Sequence, residues 1–117
     1  MTHDGFAIVG IDTEGALKRL GGKRERYEGL LRKFADKQSG SVTAVRTALA
    51  AGDRAGAERE LHSLRGAAGS LGAITIAEAA AAAEQSLKVS ADLEISLRTL
   101  EDSLAAVVAS IRSKLPG

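Results

Sequence analysis

Apolar residues recur along this chain three and four positions apart, and breaks in that rhythm divide it into segments. Tyr27, Leu30, Leu31 and Phe34 fall at i, i+3, i+4 and i+7, one face of a helix. Val42, Val45 and Leu49 repeat the spacing, then Ala57, Leu61, Leu64, Ala68 and Leu71, then Ile76, Ala80, Ala83 and Leu87. A last stripe runs through Leu93, Leu97, Leu100, Leu104, Val107, Val108, Ile111 and Leu115. At 1.5 Å per residue its helix is roughly 35 Å long.

The punctuation between stripes is that of helix ends. Asp12 is placed to cap a short helix, Glu14 suits its first turn, and Gly21-Gly22 ends it. The next helix is expected from about 23 to 37, with Ser39-Gly40-Ser41 after it. Another runs from about 41 to 51, where Ala51-Gly52 stops it and Asp53 caps its successor. That helix extends to about 71 and closes at Gly72; one over 74–89 follows, and Ser90 or Asp92 caps the last. Residues 1–10 read as a flexible lead-in containing His3, and 11–117 as one domain. Amphipathic helices joined by short loops pack as antiparallel neighbours. The pattern therefore predicts an all-α fold: an antiparallel four-helix bundle with a short additional N-terminal helix.

Composition agrees. Alanine, which loses no side-chain entropy in a helix, occurs 22 times, and the only proline among 117 residues is Pro116. Composition also removes functions. There is no cysteine, hence no disulfide, thiolate metal site or thiol nucleophile. Three aromatic side chains (Phe6, Tyr27 and Phe34) cannot build a stacking platform for single strands. Sixteen basic residues against fifteen acidic give a net charge of +1, without the basic excess of a duplex binder, so no nucleic-acid partner is expected. The uncharged run from Gly66 to Ala77 is too short and glycine-rich to span a membrane. No basic n-region precedes an apolar h-region, so no leader is expected and the location expected is cytoplasmic. The basic run Lys18, Arg19, Lys23, Arg24, Arg26 reads as a solvated surface.

Candidate chemistry concentrates on the fourth predicted helix. On a helical wheel His62 lies about 140° from the centre of the apolar stripe, so it should face solvent. Gly66 and Gly69, at i+4 and i+7, share its outward face. Each glycine costs roughly 1 kcal/mol relative to alanine inside a helix, and alanine fills the adjacent Ala67 and Ala68. The two leave the imidazole standing clear and let another surface approach the backbone. Arg65, at i+3, can reach up beside the ring, where its charge suits an anion held there. A neutral imidazole is nucleophilic near neutral pH without a base to activate it. It can accept a phosphoryl group, a transfer that depends on positioning and charge neutralisation. A surface histidine with two idle glycines is the alternative on geometry alone. A bundle di-metal enzyme would need Glu-x-x-His pairs, and position 59 is Arg59.

The run His62-Ser63-Leu64-Arg65-Gly66-Ala67-Ala68-Gly69-Ser70-Leu71-Gly72-Ala73 resembles the signature of histidine phosphotransfer (HPt) domains: a His, a basic residue three on, a Gly four on, then small residues ending in Gly. The flanks are similar too, in Tyr27-x-x-Leu30-Leu31-x-x-Phe34 and in Leu49-Ala50-Ala51-Gly52-Asp53. The resemblance covers about residues 11 to 115. It implies a monomeric bundle in which His62 carries a phosphoryl group, most simply on Nε2. The group would come from a receiver-domain aspartate and pass to another receiver in two-component signalling. The chain would then be a phosphoryl carrier and not an independent enzyme, with no cofactor of its own and Mg²⁺ in the partner receiver. Hybrid sensor kinases often end in such a domain. Arg65 stands where the family usually has Lys. Glu84 matches a position that often contacts the second imidazole nitrogen in relatives, with Gln85 as the adjacent alternative. The surface expected to face a receiver comprises His62, Arg65, Gly66, Gly69 and Ser70, with apolar contacts from neighbouring helices. Two other readings stand beside this one: a phospho-accepting domain of a chemotaxis-type kinase, and a helical interaction module that is never phosphorylated.

Overall fold

The structure is a computed structural model that describes residues 8 and 10–115. Six helices occur among the described residues: α1 (Thr13–Arg19), α2 (Arg24–Gln38), α3 (Ser41–Ala50), α4 (Arg54–Ser70), α5 (Ile74–Val89) and α6 (Leu93–Lys114). Each falls within a residue or two of a segment bounded by the sequence punctuation.

The helix starts follow the capping chemistry in two cases and depart from it in a third. Asp12 Oδ1 accepts from the Gly15 amide at 3.0 Å, and Asp53 Oδ1 from the Gly56 amide at 2.8 Å. Asp92 precedes α6, but its backbone is left-handed (φ 58°) and its side chain makes no capping bond. Ser90, the other candidate, is left-handed as well and closes α5 instead. The α5–α6 turn thus spends its polar residues on reversing the chain.

Five of the six helices make four arms. Ser39 and Gly40, between α2 and α3, stay near the helical region (φ −58°, ψ −28°; φ −97°, ψ 9°). Contacts with α6 then run in one continuous antiparallel register. Arg32 Nε donates to the Leu115 carbonyl at 3.3 Å, Arg112 lies 3.7 Å from Asp36, and Arg46 bonds Glu94 at 2.7 Å and approaches Glu101 at 3.5 Å. The sequence position rises along α2 and α3 as it falls along α6, so the two act as a single arm. Arg54 at the start of α4 donates to the Leu87 carbonyl and the Ser90 hydroxyl at the end of α5, which fixes those two antiparallel. The expected four-helix bundle is the architecture found, with α1 as the additional helix.

The apolar stripes meet inside. Tyr27, Leu31, Val45, Leu61, Leu64, Ile76, Leu87, Leu97, Leu100 and Ile111 are buried. Burying each large aliphatic side chain contributes about 1.5–3 kcal/mol before entropy is counted. Small residues fill the rest: Ala57 and Ala68 on α4, and Ala79, Ala80 and Ala83 on α5, are buried. Small side chains on both helices let α4 and α5 lie close, which brings the side chains flanking their contact within reach of each other.

α1 closes the end of the bundle where α4 stops. The Asp12 amide donates to the Gly72 carbonyl at 2.7 Å. Gly72 has φ +80°, and a Cβ there would sit 2.6 Å from the Asp12 carbonyl oxygen. The Tyr27 hydroxyl donates to the Leu71 carbonyl at 2.7 Å in the same buried region. Most of the lead-in expected over 1–10 lies outside the described residues. Within it, Ile8 is buried against the core. No helix among the described residues is long and apolar enough to cross a membrane.

Candidate functional site

α4 is held by its inner face and offers its outer one. Ala57, Leu61, Leu64 and Ala68 are buried, while His62, Ser63, Arg65, Gly66, Gly69 and Ser70 are exposed. The His62 side chain is 77% exposed, as the wheel predicts.

Two of the expected partners converge on it through a third. Glu84, on α5, places Oε2 3.4 Å from His62 Nδ1 and Oε1 2.9 Å from Arg65 Nη1. Its side chain is only 17% exposed, whereas that of Arg65 is 51% exposed. Glu84 is therefore the fixed member, and one carboxylate serves both neighbours. The 3.4 Å separation exceeds a normal N–H···O bond by a few tenths of an ångström, a gap that a small rotation of the exposed ring closes. Such a bond needs the proton on Nδ1. That leaves the lone pair on Nε2, at the other side of the ring and away from α5. Between the adjacent candidates Glu84 and Gln85, the contact falls to Glu84; Gln85 is exposed.

Arg65, expected within reach of the imidazole, bonds Glu84: a guanidinium next to a largely buried carboxylate gains a charge-assisted hydrogen bond.

Both glycines border open space. A Cβ on Gly66 or Gly69 would meet nothing within 4 Å, so no neighbour inside the molecule requires glycine at either place. Both carbonyls are engaged all the same. Ser70 Oγ donates to the Gly66 carbonyl at 3.0 Å, and Arg19 of α1 approaches the Gly69 carbonyl at 3.5 Å. Ser70 thus belongs to the exposed face but spends its hydroxyl on the helix. Arg19 and Arg24, expected on a solvated surface, are exposed, and Arg24 also pairs with Glu28 at 2.9 Å.

A groove adjoins this face. α2 contributes Leu30, Lys33, Phe34 and Lys37, and α4 contributes Ser63, Ala67, Ser70 and Leu71. Apolar contacts from a neighbouring helix are expected from the sequence; the lysines at their rim are not. The signal for them was available, since Lys33 and Lys37 flank Phe34 at helical spacing on α2.

The Hpt domain family model matches residues 29–113, from within α2 to the last turn of α6, and so spans all six candidate residues. No curated protein and no solved structure gives a significant match. The matched span covers well over half of the chain and ends where the bundle ends, so this chain belongs to the Hpt domain family.

Proposed function

We propose that His62 is the phosphoryl acceptor of a phosphorelay intermediate: it takes the group from a receiver-domain aspartate and passes it to a second receiver. Histidine phosphotransfer in a phosphorelay is the role of the family. What supports its assignment to these residues is one observation. The single histidine on α4 stands clear of the bundle, with its Nδ1 side toward Glu84 and bare backbone at Gly66 and Gly69 around its outer side.

The chemistry balances with the groups at hand. The Nε2 lone pair attacks the phosphorus of an aspartyl phosphate, an N–P bond forms, the P–O bond breaks and the aspartate leaves as carboxylate. The proton on Nδ1 stays in place. The positive charge that the ring acquires faces the Glu84 carboxylate. Transfer onward is the reverse step on another aspartate. The glycines let the partner's aspartate come down onto the ring, and the α2–α4 groove extends the docking surface. Mg²⁺ belongs to the receiver in this reading. The chain is a phosphoryl carrier, with receiver domains as partners, acting as a monomer in the cytoplasm.

The deciding experiment offers a panel of phosphorylated receivers to the protein and to His62→Gln. Acid-labile phosphate should appear on the former and be absent from the latter, with unchanged helical circular dichroism. Label that persists in the variant sinks the assignment.

A further inference from the structure

We propose that Arg65 exchanges partners when His62 is phosphorylated, leaving Glu84 for the phosphoryl oxygens, so that Glu84 and the phosphoryl group compete for one guanidinium. This rests on the reading of His62 as acceptor and adds to it a movable contact.

The starting arrangement is the three-residue cluster. One oxygen of Glu84 bonds Arg65 at 2.9 Å and the other lies 3.4 Å from His62 Nδ1. The carboxylate is largely buried, and the guanidinium half-exposed. An ion pair with one side in water holds by a factor of only a few over its separated state. Arg65 is thus tethered and not locked. It sits one turn beyond His62, and side chains on a helix lean toward its N-terminus. That lean brings the guanidinium to the level of the imidazole. The outer face of α4 is open at Gly66 and Gly69, where an added Cβ would meet nothing within 4 Å.

Charge matching decides the direction. Before transfer, one carboxylate serves one guanidinium and the imidazole. Transfer adds up to about two negative charges in the phosphoryl oxygens, and the ring, now substituted at Nε2 and protonated at Nδ1, becomes cationic. If Arg65 stayed, two cations would crowd the Glu84 carboxylate while the phosphoryl group had no partner in this chain's cluster. If it moves, each cation has its own anion: the ring keeps Glu84 and Arg65 takes the phosphoryl oxygens. The planar fork of Arg fits two such oxygens at once. Glu84 would in this way hold Arg65 before transfer and balance the cationic ring after it.

The test uses chemical phosphorylation of His62 by phosphoramidate, so that it does not depend on finding a receiver, with Arg65 followed through its side-chain Nε–Hε NMR signal. In the unphosphorylated protein Glu84→Gln should move that signal. After phosphorylation the wild-type signal should shift, and the Glu84→Gln protein should show the same final position, because Glu84 no longer holds it. The phosphohistidine ³¹P shift should differ between wild type and Arg65→Ala, and Arg65→Lys should restore only part of the difference. With a receiver present, Arg65→Ala should lower the phosphorylated fraction of His62 at equilibrium, and by more in the Glu84→Gln background, where no Glu84 contact in the unphosphorylated state offsets the loss. An Arg65 signal that stays where Glu84 puts it, or a ³¹P shift indifferent to Arg65, overturns the exchange while His62 remains the acceptor. If neither phosphoramidate nor receivers label His62, the acceptor reading falls and takes the exchange with it.

Discussion

Replacing Gly66 and Gly69 by alanine should make the isolated protein more stable and its phosphotransfer slower. Both residues have ordinary helical backbone inside α4, and an added Cβ meets no atom within 4 Å at either site. No clash opposes the change, so the intrinsic preference for alanine applies in full. It amounts to about 0.5–1 kcal/mol per site, gained mostly by restricting the unfolded chain. The double variant should gain about 1–2 kcal/mol. Unfolding entropy is near 2.1 cal/mol/K per residue, so at this chain length each kcal/mol is worth about 4 °C. The melting temperature followed at 222 nm should rise by about 4–8 °C.

On the proposed reading, the same two methyl groups stand on the face that a receiver would cover to reach Nε2. A methyl that holds a docking backbone away by an ångström displaces the reacting atoms, and displacement on that scale can cost about 10²-fold in rate. Single-turnover transfer from a phosphorylated receiver, measured for Gly66→Ala, Gly69→Ala and the pair, reads this directly. Stabilisation joined to slower transfer is the expected result. A double variant that melts higher and transfers at the wild-type rate would refute the docking role of the glycines. One that melts lower would refute the claim that the outer face is open.

Three further expectations follow from other contacts. Gly72→Ala should cost at least about 2 kcal/mol, because left-handed strain (φ +80°) adds to a Cβ only 2.6 Å from the Asp12 carbonyl oxygen; Gly52→Ala, at φ +77° with open space around it, should cost about 1 kcal/mol, and equal losses in urea unfolding would dismiss the clash. Burial first, and the charge of Asp12 second, push the Tyr27 phenol up to about 12 against the opposing pull of Arg19. A phenol raised in the folded state contributes stability in full below pH 10 and loses it between pH 10 and 12, on the order of 2–3 kcal/mol; Tyr27→Phe should flatten this alkaline decline in the urea midpoint, and an unchanged slope would count against it. The hydrogen bond from Arg46 holds the Glu94 carboxyl below the usual carboxylate range, so Arg46→Gln should raise its NMR titration midpoint; an unmoved midpoint would show that α3 is not tied to α6 there.

How much of this was legible in the sequence depends on the kind of interaction. Helix boundaries were, because Asp12, Asp53, Gly21 and Gly72 act through bonds and torsions within a few residues of themselves. The core face of α4 was, because Leu61, Leu64 and Ala68 report it through a period of 3.6. The cap of α6 was not. Asp92 has the right side chain in the right place, but the reversal from α5 has left-handed backbone at Ser90 and Asp92, and with that backbone Asp92 makes no side-chain bond to the amides of α6. Merging α2 and α3 into one arm was likewise unreadable from Ser39-Gly40-Ser41, a string that suits a turn as well as a slight bend. Only the register against Asp36, Arg46 and Arg32 along α6 decides it.

The candidate site divides along the same line. The exposure of His62 and the bareness of Gly66 and Gly69 are properties of one helix, and one helix's periodicity suffices to state them. The destination of Arg65 is a property of two. Arg65 is separated from Glu84 by 19 positions, and the pairing depends on how closely α4 and α5 lie, which the buried alanines of both helices control. A wheel drawn for α4 alone shows a cation beside an imidazole and assigns it to the incoming anion. The packed pair shows that the cation is already engaged, and that the carboxylate engaging it also faces the imidazole. Enlarging Ala80 or Ala83 should therefore disturb the site without touching a polar residue in it. An Ala83→Val variant that pushes α5 outward would lengthen the reach from Glu84 to both neighbours. It should loosen Arg65 and the imidazole together, whereas Glu84→Gln removes the charge and leaves the spacing intact.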